Sequence, residues 1–195
     1  DDTDGPTHLA VVFDHKSKTF RSKIYPKYKA NRPPAPDDLI PQFDFIKQAT
    51  VAFGLPSIEV KGYEADDIIA SYAIAARRLG ASVTILSSDK DLMQLIGDGI
   101  SMYDTMKNKI INRETVFEKF GVCPEKVIDV QSLAGDRIDN IPGAPGIGVK
   151  TAAQLINYFG DLDSLLRRAN EIKQPKKRQT LFENAKQIIL SRELV

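Results

Sequence analysis

Apolar and polar positions along this chain fall into two rhythms. Short β-branched runs, "LAVVFD" (9–14) and "VTILSSD" (83–89), have the near-continuous apolar character of buried strands in a parallel sheet. Longer stretches repeat their apolar residues at helical spacing. "DLIPQFDFIKQATVAFG" (38–54) is one and stops at Gly54; another runs from about Glu64 to Leu79 and is closed by Gly80. "SIEV" (57–60) adds a strand between them. "ISMYDTMKNKIINR" (100–113) reads as a hairpin around Lys107 and Asn108, and "RETVFEKFG" as a short helix. This alternation predicts an α/β fold: a mainly parallel central sheet flanked by helices, joined by right-handed crossovers.

Composition narrows the class. With 195 residues, 42% of them hydrophobic, the chain can bury one substantial core and a small appended module. No apolar run approaches the roughly 18–20 residues that span a bilayer, and the start "DDTDGPTHLA" has neither region of a signal peptide. The expectation is therefore no membrane and a cytoplasmic location. Cys123, the single cysteine, excludes an internal disulfide and reads as packing in a reducing compartment. The chain opens on Asp1 without an initiator Met, as a fragment or processed product would.

The net charge of +1 hides a strong polarity. From His15 to Pro36 there are seven Lys or Arg and no acid, interleaved with Phe20, Tyr25 and Tyr28. From Lys150 onward nine bases meet five acids, densest in "KQPKKR" (173–178), while acids collect in between. Either basic segment alone reads as a solvated surface. Both together, flanking an acidic centre, suit a polyanion.

The acids sit at informative places. Asp14 ends the first strand, Asp89 and Asp91 of "SSDKD" follow another, and Glu64, Asp66 and Asp67 occupy the first turn of a crossover helix. "LAGDRIDNIPG" adds Asp136 and Asp139. In open α/β sheets a ligand site lies beyond the carboxyl ends of the strands, so these groups should meet in one cleft. Taken alone, Glu-Ala-Asp-Asp would be a helix start matched to the dipole; strand-end acids at three further places favour a site. Crowded carboxylates repel unless cations neutralise them, and an all-oxygen set selects Mg²⁺ or Mn²⁺ over zinc. His8 and His15 are poor ligand candidates. Two hard ions about 4 Å apart can activate water and stabilise the leaving oxygen of a phosphodiester.

"IPGAPGIGVKTAAQLINYFG" (141–160) carries Gly143, Gly146 and Gly148 between a short helix around 131–134 and one starting near Lys150 or Thr151. It looks like a helix-hairpin-helix, whose free N–H groups grip a phosphate backbone without reading bases. A nucleotide P-loop is excluded because Val149 separates Gly148 from Lys150.

In this order "VVFD", "FRSKIYPKYKANR", "GYEADDIIA", "SSDKDLMQL" and "LAGDRIDNIPGAPGIGVKTAAQL" resemble the 5′-nuclease domain of bacterial DNA polymerase I, within the flap-endonuclease superfamily and its PIN-like fold. The resemblance covers almost the whole chain. It implies 5′-3′ exonuclease and flap endonuclease activity on DNA and RNA primers in replication and repair, with two or more Mg²⁺ or Mn²⁺ ions. Asp14, Glu64, Asp66, Asp67, Asp89, Asp91, Asp136 and Asp139 match the family's metal-site acids, Asp67 being counted among the catalytic groups with Arg21 and Lys29. Arg21 and Lys29 belong to an arch, about residues 15–37, that passes the 5′ strand; Tyr25, Tyr28 and Arg32 would contact that strand. Gly143, Gly146, Gly148, Lys150 and Thr151 would hold duplex, with K⁺ at the hairpin.

The implied organisation is an α/β nuclease core over 1–130 and a helix-hairpin-helix subdomain over 131–195, in a monomer continuous with a polymerase region and associated with the bacterial nucleoid. One departure stands out: the family's first strand, ending in Asp-Gly and supplying a further ligand, precedes where this chain begins, and Asp1, Asp2 and Asp4 do not replace it. That leaves, as an alternative, a non-catalytic module that binds structured DNA. A phosphohydrolase of the haloacid-dehalogenase type is disfavoured by Lys16, where its second Asp would stand.

Overall fold

The computed structural model describes residues 5–195; Asp1, Asp2 and Asp4 lie outside the described residues. Every predicted strand forms, though shorter than its apolar run. β1 (Val11–Val12) pairs in parallel with β2 (Ser57–Ile58), carried by Val11 N–H to Pro56 O and Phe13 N–H to Ile58 O. β3 (Val83–Leu86) pairs in parallel with β4 (Ile100–Asp104), and β4 turns back antiparallel into β5 (Lys109–Ile111). The turn is the predicted one. Asn108 takes the left-handed conformation and Asp104 accepts the Met106 and Lys107 amides.

The expected central sheet is split: among the described residues β1-β2 and β3-β4-β5 are separate sheets, and no described strand joins β1 to β3. β3 is consequently covered on one side only. Ile85 is buried while Leu86 is 59% exposed, so a run read as buried on both faces alternates instead.

The helices follow the predicted boundaries closely. α1 (Phe20–Ile24) lies in the basic segment; α2 (Ile40–Ala52) and α3 (Ala65–Arg78) are the two long crossovers. α4 (Arg113–Phe120) starts where Asn112 accepts the Thr115 N–H and stops at a left-handed Gly121. α5 (Val127–Ala134), α6 (Val149–Phe159), α7 (Leu162–Arg167), α8 (Pro175–Glu183) and α9 (Ala185–Leu194) form the C-terminal helical part. Among the described residues no helix is long and apolar enough to cross a membrane.

The core is lopsided. Met102, Val116, Val122, Val130, Leu133, Ile156, Leu162, Leu181 and Ile188 are all inaccessible, and one apolar cluster runs from Ala73 and Ile85 through them. α2, in contrast, buries only Thr50 and leaves Phe45, Val51 and Phe53 more than half exposed. A smaller cluster ties Tyr28 of the basic segment to Ile141 and Leu194.

A candidate metal centre under the basic segment

The first turn of α3 answers to two demands at once. Asp67 accepts the Glu64 N–H at 2.9 Å, and Asp14, from the end of β1, accepts the Ala65 N–H at 2.7 Å. These bonds satisfy amides that a helix start leaves open. The same carboxylates line one cleft of about 300 Å³. Asp14, Glu64, Asp66, Asp67, Asp89, Asp91 and Asp139 all line it, and so do Arg21, Lys29 and Arg32. Seven carboxylates against three cations leave it strongly negative.

The eighth predicted acid stands apart. Asp136 does not line the cleft; it accepts from Lys90, whose ammonium also lies 3.6 Å from Asp91. The 136–140 loop is closed by paired backbone bonds between Asp136 and Ile141, and Asp136 Oδ1 accepts the Ile138 N–H.

The basic segment lies down on these acids. Arg21, 8% exposed, forks onto both oxygens of Asp67 at 2.8 and 2.9 Å and donates its Nε to the Leu194 carbonyl. Lys29 reaches Glu64 at 2.6 Å from a left-handed backbone pinned by its N–H on Asp139 O. Arg32 pairs with Asp139. Asn31 donates to Arg137 O, and Asn140 to Lys27 O. The basic segment is thus stitched across the acids.

Two expected DNA contacts are corrected. Tyr28 has no face for a base to stack on: it is 7% exposed, and its hydroxyl donates to Glu64 at 2.8 Å. Burial, then the Glu64 charge, push that phenol's pKa up, so it stays a donor. Gly143 has no free groups for a phosphate. Its N–H donates to Ser191 Oγ, its carbonyl accepts from Gln187, and a Cβ there would meet Gly135 N at 2.3 Å. Two backbones touch at that point, which is why glycine is needed. Gly146 and Gly148 face open space, Lys150 is exposed beside them, and Thr151 is half-buried on the first turn of α6. No side chain caps the α6 amides. Tyr25 and Arg32 remain partly exposed at the segment's edge.

Whether the residues suit a hard cation is decided by charge and donor type. Asp66 is pushed up to about 7, chiefly by burial and then by the charges of Asp89 and Asp91. Burial raises Asp91 as well, although Gln131 and Lys90 pull against it. The Arg21 fork and the Glu64 N–H bring Asp67 down despite its burial. A cleft that cannot keep all its carboxylates ionised is one a divalent cation would relieve. The donors are all oxygen, and the carbonyl of Gln131 is buried without a partner beside them. Among the described residues no three carboxylates already converge as a cage, and Lys29, Arg21 and Arg32 hold Glu64, Asp67 and Asp139. The set fits a hard cation in chemistry, with the basic segment as competitor.

Lys90 and Gln131 were missed by sequence reasoning. Lys90 stands in "SSDKD" and could have been flagged as a cation between two site acids. Gln131, in an apolar helix forty residues away, carries no sequence signal.

Comparison with known proteins gives a consistent picture. Residues 2–121 match a family model described as 5′-3′ exonuclease, N-terminal resolvase-like domain. Residues 122–195 match 5′-3′ exonuclease, C-terminal SAM fold. DNA polymerase I of Rhizobium leguminosarum is 60% identical over 190 residues, 97% of this chain but 19% of that protein. The 5′-3′ exonuclease of Aquifex aeolicus is 43% identical over 162 residues, 83% of this chain and 56% of its own length. The T5 D15 protein, co-crystallised with metal ions, superposes with a TM-score of 0.85 at 26% identity, over 97% of this chain and 75% of that one.

Proposed function

This chain belongs to the 5′-3′ exonuclease family, and from that premise we propose that it is a divalent-metal-dependent nuclease hydrolysing phosphodiester bonds at 5′ flaps, nicks and RNA-primed strands. The observation that carries the reading is the shared cleft: seven carboxylates from strand ends, helix start and loop, roofed by Arg21, Lys29 and Arg32. The non-catalytic alternative draws less support, since relatives named as exonucleases match along most of the chain.

The acids that would hold the ions are Asp66, Asp89, Asp91 and Asp14, with Glu64, Asp67, Asp136 and Asp139 becoming free as their cations turn to phosphate. Mg²⁺ or Mn²⁺, bound there, would supply an activated water and neutralise charge at the scissile phosphate. The chain's own groups do the rest. Arg21 and Lys29 already stand at the acids with their charged heads paired, so a phosphate entering the cleft can exchange for carboxylate as their partner. Tyr28 fixes Glu64 through its hydroxyl. The open amides of Gly146 and Gly148, with Lys150 and Thr151, would take duplex backbone, and K⁺ would suit the same loop's carbonyls. The protein would act as a cytoplasmic, nucleoid-associated monomer, joined to a polymerase region in the intact polypeptide.

A 5′-labelled flap substrate tests this. Asp67→Asn should still bind forked DNA in EDTA yet cleave at least about 10²-fold more slowly in Mg²⁺. Equal cleavage by the variant and the unsubstituted chain, or none by either, sinks the reading.

A further inference from the structure

We infer that Gln131 is a positioning residue of the acidic cleft, fixing the Asp91 carboxylate with its amide N–H so that the second carboxylate oxygen meets a divalent cation in one orientation. The inference rests on the nuclease reading above and extends it to a residue outside the acid set.

Gln131 lies on the inner face of α5 and is 4% exposed. The helix is buried nearly all round: Val127, one turn before it, and Val130 and Leu133 on other faces are wholly buried hydrophobics. Its Nε2 donates to Asp91 Oδ1 at 2.5 Å, and its side chain lines the cleft. Its Oε1 is buried with no partner. Native proteins rarely leave a buried carbonyl unsatisfied, and apolar side chains of this length would fill the place without that penalty. The amide cannot simply be reversed, because Oε1 would then face a carboxylate oxygen, acceptor against acceptor.

Lys90 approaches the same Asp91 oxygen at 3.6 Å, so Oδ1 is held from two sides. Among the described residues no donor reaches Oδ2. A carboxylate fixed in this way presents its second oxygen in one orientation, and a group bonded behind a metal ligand sets both its aim and its basicity.

The test is a Mn²⁺ titration of the 195-residue chain and its Gln131→Met variant, with free Mn²⁺ read by electron paramagnetic resonance. Met keeps the length and flexibility of the side chain and removes both polar ends. The variant should bind Mn²⁺ about 10-fold more weakly at the tighter site, with an EDTA melting temperature equal to or above that of the parent and unchanged forked-DNA binding in EDTA. Isotherms that superimpose overturn the inference, as does weakening that tracks a fall in the EDTA melting temperature. If superimposed isotherms both report tight binding, the nuclease reading survives; if the unsubstituted chain binds no Mn²⁺, both fall.

Discussion

Asp66 shows most plainly what crowding does to a single side chain. At about pH 8 its carboxylate is ionised in folded and unfolded chains alike, so the metal-free fold carries the full cost of burying it and of setting it beside Asp89 and Asp91. As pH falls below about 7 the folded state takes up a proton before the unfolded one, and the cost shrinks steadily towards the ordinary value of 3.8. Asp66→Asn should therefore stabilise the metal-free protein by about 1–3 kcal/mol at pH 8, and much less at pH 5, by urea unfolding in EDTA. A gain that is absent at pH 8, or equal at both, would mean Asp66 is not crowded. Tyr28→Phe should lower stability by about 1 kcal/mol, because Glu64 loses one donor but keeps Lys29. Roles of this kind were only partly legible in the sequence. Strand ends and a helix start betrayed six of the seven cleft acids, since those positions are fixed by local pattern. Tyr28 was misread as a stacking face because a Tyr in a basic run looks the same whether its ring meets solvent or packs on Ile141 and Leu194.

Elements separate the glycines that the sequence could only group. Gly143 has φ +58° and a neighbouring backbone where its Cβ would go; Gly146 has φ +76° and open space. Gly143→Ala should lower the melting temperature by about 10 °C or more. Gly146→Ala carries only left-handed strain, about 1–2 kcal/mol, and should fold while binding forked DNA more weakly; the reverse order in the two melts would refute this. Helix boundaries were readable because stops are local: α4 ends at Gly121 as the pattern predicts, while its cap at Asn112 came only with the structure. Sheet assembly was not, because it depends on which strands lie between. Two-residue pairing in β1-β2 and the exposed Leu86 are products of what lies next to a strand, which no run of residues encodes.

At the scale of the whole molecule, one apolar cluster crosses from the α/β part into the helical part, from Ala73 and Ile85 to Leu181 and Ile188. Calorimetry should accordingly give a single transition despite the proposed division near residue 130; two resolved peaks would show the seam to be weaker than the cluster implies. Polarity of charge was visible from the sequence, but not its closure. Lys29 and Asp139 are 110 positions apart, and only the fold brings basic flank and acidic centre together. Closure has a further outcome, carried by α9. Ser191 and Gln187 hold Gly143, and one turn on, the Leu194 carbonyl holds Arg21. The glycine hairpin and the guanidinium at the acids thus hang from a single rod. Under the function proposed above, a backbone gripped at the hairpin would stand at a constant offset from the acids, and the molecule would cut by length before sequence.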